Sequence, residues 1–213
     1  MKTFTLFHSR PQFLTKIIRY LKTFIICFVI GAILTYGVVL NISHEQKIQR
    51  EQQIQLEMKR GSDLEQGVVL DAAADIIKRD GKLPLKVAKK YALWIYEAGA
   101  KYNVDPLLIL SVMAIESGFK YNAISPTGPI GLLQIAASWH RDKTTSVALF
   151  DPKHNINVGT QILREYSDKS MTDVETLLRY NGSLGKAPVY AVKVLSKKNK
   201  YETEIMDAVV RSI

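Results

Sequence analysis

The chain contains one cysteine, Cys27, and it lies inside an apolar stretch near the N-terminus. The rest of the sequence therefore has no disulfide framework, no redox CxxC pair and no thiolate metal site. Acidic residues are missing altogether from residues 1–41, which carry Lys2, Arg10, Lys16, Arg19 and Lys22. That segment accounts for +5 of a formal net charge of +9, so the remainder is only moderately basic. Such a balance suits nucleic acid, anionic lipid or an acidic polymer equally, and charge alone does not choose among them. Internal repeats and low-complexity blocks are absent, and alternating strand patterns are nearly so. His140 and His154 stand 14 residues apart with no third ligand pattern, which points away from zinc. No metal and no cofactor is expected. With the N-terminal part set aside, about 150 residues remain, enough to bury roughly 70% of the unfolded chain's surface without covalent staples.

What is present begins with TFIICFVIGAILTYGVVL, residues 23–40, which are 18 residues without a charge. As a helix this run spans about 27 Å, near the thickness of a bilayer's hydrocarbon core. A cleaved signal peptide is the alternative. The run exceeds the usual apolar length of about 7–15 residues, and no A-x-A-like site follows Leu40, so an uncleaved anchor is expected. Cys27 follows Phe24, Ile25 and Ile26, where a lipoprotein cysteine would need small residues. Five positive charges ahead of the span place the N-terminus in the cytoplasm and export the rest. The expected localisation is single-pass in the inner (cytoplasmic) membrane, with a periplasmic or extracytoplasmic domain. Residues 42–61 are rich in Gln and charge, with Ile48, Ile54, Leu56 and Met58 sustaining no heptad, and read as a polar helical stalk.

The region 62–213 reads as one all-α (mainly α) domain. Ser62 with Glu65 forms a capping box opening a helix toward Lys78, which Asp80-Gly81 ends. Pro84 opens a second helix with Val87, Tyr91, Ile95 and Ala98 on one face. Asp105-Pro106 and Asp151-Pro152 are each an N-cap followed by proline, and the second leads into Ile156, Gly159, Ile162, Leu163 and Tyr166. Thr172 with Glu175 makes another capping box, and a last helix carries Ile205, Val209 and Ile213. Glycine-bearing loops at 118–131 and 181–188 are the expected functional surface.

The helix from Pro106 is apolar nearly all round, from Leu107 to Ile115, and so belongs at the centre of a domain. It nevertheless ends in Glu116-Ser117-Gly118. A glutamate there either reaches solvent or sits partly desolvated with a raised pKa, which is the state a general acid requires. This segment alone leaves both readings open.

The surrounding motifs extend the picture. Glu116-Ser117-Gly118-Phe119 is followed by Ser125-Pro126-Thr127-Gly128-Pro129-Ile130-Gly131-Leu132-Leu133-Gln134, then Asp151-Pro152, Asn155-Ile156 and Gly159. Tyr180-Asn181-Gly182 and Tyr190 complete the series. In these residues, over roughly 84–200, the chain resembles the transglycosylase SLT domain of soluble lytic transglycosylases, related to goose-type lysozyme. The sequence departs from the family pattern in four places. Leu133 stands for a methionine, Pro129 for a small residue and Arg179 for an alanine, and AASWH replaces a proline soon after Gln134.

The resemblance implies a lysozyme-like catalytic domain in which Glu116 is the sole catalytic residue. It implies that Ser117 and Gln134 position groups around the cleft, and that Leu133 and Ile135 line it. Tyr180 and Asn181 would hold an acetamido sugar, with Tyr190 a further substrate contact. A two-carboxylate glycosidase needs a second acid at about 5–5.5 or 6.5–9.5 Å. Between Glu116 and Gln134 there is none, Asp151 reads as a helix cap, and Asp142 sits in a polar run. A single carboxylate acting as acid and then base fits better. The implied enzyme is therefore a lytic transglycosylase cutting the MurNAc–GlcNAc bond of peptidoglycan with a 1,6-anhydro end. The alternatives are a lysozyme-like hydrolase of the same bond and a non-catalytic wall-binding module. The implied partners are peptidoglycan glycan strands and the membrane, with secretion, conjugation or phage assembly machinery as candidate settings and no nucleic acid.

Overall fold

The computed structural model describes residues 10–212; Lys2 of the basic segment and Ile213 of the last apolar face lie outside them. Regular structure among the described residues is helical apart from two isolated antiparallel bridges, Ile124 with Ile130 and Ile130 with Ile135. The helices are α1 (Arg10–Gly81), α2 (Leu85–Tyr102), α3 (Pro106–Glu116), α4 (Pro152–Ser167), α5 (Asp173–Tyr180) and α6 (Val189–Ser212). A short 3₁₀ turn covers Ala148–Phe150. The chain divides into two compact units, residues 1–61 and 62–213.

Among the described residues, α1 is the one helix long and apolar enough to cross a membrane, by length and composition. The apolar side chains over 23–40 are exposed, Phe24 to 71%. Ile48, Ile54, Leu56 and Met58 are also exposed on a helical backbone.

In the second unit the expected helix start at Ser62 is not found, because α1 runs unbroken from Arg10 to Gly81. Gly61 costs a helix interior only about 1 kcal/mol, and strong helix formers (Glu57, Met58, Lys59, Arg60, Leu64, Glu65) flank it. The proline-marked starts do occur. Asp105 accepts from the Leu107 N–H at 2.8 Å and Asp151 from the His154 N–H at 2.6 Å. At α5 the Thr172 hydroxyl caps the Glu175 N–H, but the Glu175 carboxylate reaches one residue further back, to the Met171 N–H.

Helix α3 is central, as its composition requires, packing on α2 and α6 with Ile109, Val112 and Met113 fully buried. α2 lies on α4, and α5 bridges α4 and α6. What these helices position is the turn from Ile130 to Ile135, where the two isoleucines exchange backbone hydrogen bonds at 3.0 and 3.1 Å. The turn is fastened to α4 by Asn155, whose side chain is wholly buried. Its Oδ1 accepts from the Leu133 N–H at 2.9 Å, and its Nδ2 donates to the carbonyls of Ile130 (3.0 Å) and Leu149 (2.9 Å). Gly131 must be glycine here. Its φ is +83°, and a Cβ would collide with the Asn155 amide and stand 2.7 Å from the Leu149 carbonyl.

Asn155→Ala would leave the buried Leu133 N–H and Leu149 carbonyl without a partner, each costing about 1–3 kcal/mol, and would take from the Ile130 carbonyl one of its two donors. Chemical denaturation of the full chain in detergent should show a loss of about 3 kcal/mol or more. Asn155→Asp should be no better, since it keeps the acceptor but turns a carboxylate oxygen toward two carbonyls.

Candidate active site

Glu116 is the last residue of α3, and the chain reverses directly after it. Ser117 caps the helix, and Gly118 and Phe119 both adopt left-handed backbone, φ +54° and +67°. A phenylalanine in that region is strained, and it is held there by burial of its ring to 1% exposure. Gln134 is a second non-glycine residue with positive φ, +48°. The reversal at 118–119 and the turn at 131–134 face each other through the Ser117 hydroxyl, which lies 2.8 Å from the Leu132 carbonyl and 3.2 Å from the Met113 carbonyl.

The Glu116 carboxylate is half-buried, and Tyr190, at the start of α6, donates its hydroxyl to Oε1 at 2.5 Å. Burial pushes the Glu116 pKa above the ordinary carboxylate range, and the Tyr190 hydrogen bond partly offsets this by stabilising the anion. Burial also drives the Tyr190 and Tyr180 phenols upward, with the Glu116 charge adding to it, so both remain proton donors. Tyr180 donates to the Leu133 carbonyl at 2.7 Å and packs edge-on against Tyr166.

Tyr180 also lines a cavity of about 330 Å³. Of the residues singled out from sequence, Gln134, Ile135, Tyr180 and Asn181 line it. Glu116, Ser117, Leu133 and Tyr190 do not, and Tyr180 is the member shared by both groups, lining the cavity and feeling the Glu116 charge. Gln134 uses its amide N–H groups on the carbonyls of Gly131 (2.9 Å) and Ala123 (3.2 Å), which holds the turn in its strained form.

Leu133 is placed differently from the expectation of a groove-lining side chain. It is fully buried, and its Cβ would stand 2.8 Å from a Cβ added at Gly159 on α4. The tight turn sends Leu133 into the core together with Leu132, while the Leu133 N–H and carbonyl are used by Asn155 and Tyr180. Tyr190 contacts the carboxyl group itself.

Both glycine-bearing loops reach the cavity, through Thr127 and Pro129 on one side and Asn181 and Gly182 on the other. Sequence reasoning missed its remaining wall, Ala136, Ser138, Trp139 and His140 with Ile162 and Tyr166 of α4. The available signal was a tryptophan in a polar segment with no helical face to bury it. His140 is pushed below its usual pKa by burial and then by Lys143, and so favours the neutral ring. His154 pairs with Thr144 at 2.9 Å. No group of three or more His, Cys, Asp or Glu side chains placed to hold a metal occurs among the described residues. Asp142 is exposed and paired with Lys143.

A partly buried carboxyl group with a raised pKa and a phenol donor can deliver a proton to a bound ligand and take one back. A family model for the transglycosylase SLT domain matches residues 94–203, just over half of the chain, from within α2 to within α6.

Replacing Tyr190 with phenylalanine removes the bond that favours the Glu116 anion. The Glu116 titration midpoint, followed by carbon NMR of its carboxyl, should move further up. A midpoint that stays or falls would mean that the hydroxyl does not stabilise the anion.

Proposed function

Because this chain belongs to the transglycosylase SLT domain family, a family of lytic, peptidoglycan-cleaving enzymes, we propose that it cleaves the MurNAc–GlcNAc β-1,4 bond with Glu116 as the single acid and base. The observation that carries the reading is the environment of Glu116. Its ionisation is governed by burial and by Tyr190, not by a second carboxylate or a cation. A protonated Glu116 gives its proton to the bridging oxygen as the bond from that oxygen to C1 of MurNAc breaks. The 2-acetamido carbonyl oxygen of the same sugar supports the electron-poor C1. Glu116, now a carboxylate, takes the proton of the C6 hydroxyl while O6 bonds to C1. The 1,6-anhydro ring closes, no water is consumed, and the carboxyl is returned to its starting state. Tyr190, as donor to Oε1, stabilises the intermediate carboxylate and fixes its orientation.

The apolar run at 23–40 and the basic residues before it support a single-pass anchor in the inner membrane, with the N-terminus cytoplasmic and the catalytic domain exported. Removing residues 1–41 should transfer the protein from the membrane pellet to the soluble fraction. An unshortened mature chain, read by intact mass, separates an anchor from a cleaved signal peptide.

Glu116→Gln should reduce release of anhydro-muropeptides from peptidoglycan by about 10²–10⁴-fold, the usual contribution of a general acid–base group. Product masses decide the chemistry, since a gain of water in place of an anhydro end would make the enzyme a hydrolase. Activity should fall as pH rises through the elevated Glu116 pKa. Stability follows the same sign. With a folded-state pKa above the unfolded one, the contribution of Glu116 is complete below the unfolded pKa and is lost as pH rises through the folded one. Glu116→Gln is free of that loss, so at neutral pH it should melt no lower than the wild type.

A further inference from the structure

Trp139 is 76% exposed, and it borders the cavity that Tyr180 lines. A large aromatic held in water at the mouth of a concave site is poorly explained by folding, because its ring buries little on this chain. The wall it faces has a definite chemistry. Gln134, Asn181 and Thr127 offer neutral amide and hydroxyl groups, Ile135, Tyr166 and Tyr180 offer apolar and aromatic surface, and no Asp, Glu, Lys or Arg lines the cavity. A phosphate or a stem-peptide carboxylate would call for a cation in that wall. A neutral pyranose with an acetamido group asks for what is there: amides for its polar edge and an aromatic face for its axial C–H face. The cavity, about 330 Å³, is at the small end of ligand clefts and suits a single sugar unit rather than a folded peptide.

We propose that Trp139 is a specificity-determining residue whose indole stacks on an N-acetylhexosamine unit of the glycan strand seated in this cavity. The inference rests on the peptidoglycan-cleaving reading. Trp139 lies in the AASWH segment, which stands where the family pattern has a proline. Tyr180 carries the coupling between the two places, since it lines the cavity and stands in the field of Glu116.

The test uses the full chain in detergent with Glu116→Gln, so that ligand is not consumed, titrated calorimetrically with the N-acetylglucosamine tetramer. Trp139→Leu should weaken binding roughly 3–10-fold, the loss expected of one aromatic contact, and Trp139→Tyr should recover most of it. Because the ring is exposed, both variants should melt with the parent. Tryptophan emission should shift to the blue on binding and lose that response in Trp139→Leu, where only Trp94 remains. On peptidoglycan, with Glu116 restored, Trp139→Leu should raise KM and leave kcat unchanged. Equal tetramer affinity in Trp139→Leu, or no binding of tetramer by the parent, overturns the inference. If the tetramer binds through Trp139 but the wild type leaves peptidoglycan uncut, the stacking site stands and the transglycosylase reading falls. If the wild type cuts peptidoglycan while Trp139→Leu binds tetramer as tightly as its parent, the reverse holds.

Discussion

Asn155 joins three pieces of chain that have no regular structure in common. Its amide takes the Leu133 N–H and serves the carbonyls of Ile130 and Leu149, so helix α4, the 130–135 turn and the 3₁₀ turn become one object. An asparagine side chain suits this task because it is donor and acceptor at once, and every one of these three bonds lies in the buried interior, where an unmatched group is costly. The candidate site is built outward from that turn. Ser117 meets the Leu132 carbonyl from the α3 side, and Tyr180 meets the Leu133 carbonyl from the α5 side. Gln134, in strained backbone, closes the turn on itself. The residues around the proposed acid are therefore held by backbone carbonyls of one short segment, which a rigid core helix supports.

Against this frame the chemistry of Glu116 is a matter of where a helix ends. α3 is apolar enough to run through the centre, and its last residue emerges only part-way. Burial raises the carboxyl pKa, and a position at the carbonyl end of a helix acts in the same direction, because the dipole there disfavours negative charge. Tyr190 opposes both by donating to the anion. A group balanced in this way can be protonated before the reaction and tolerable as an anion within it. Phe119 and Gln134, both with left-handed backbone, belong to the two loops that the Ser117 hydroxyl joins.

Much of the helical layout was legible because it depends on local chemistry. Asp-Pro pairs announce α3 and α4, Thr172 announces α5, and the all-apolar run announces a central helix. The start assigned to Ser62 failed for the same local reason. A capping pattern only competes with helix continuation, and here the residues on both sides favour continuation over the small cost of Gly61. Leu133 shows the limit at the site. Gln134 and Ile135, which follow it, line the cavity, but the Leu133 side chain packs against Gly159, a residue 26 positions on that no local pattern connects to it. Trp139 and Tyr166 reach the same cavity from segments with no common motif.

The order of the motifs along the chain was by itself enough to determine the family, the all-α class and the choice of Glu116 as the candidate acid. Such features are carried by residue type and short spacing, and so survive without coordinates. Only the tertiary structure decided that Tyr190 meets the carboxyl group, that Leu133 belongs to the core, and that Trp139 stands over the cavity. Each of these depends on the distance between segments far apart in the chain, and helix packing, with one buried amide fastening a turn, sets that distance.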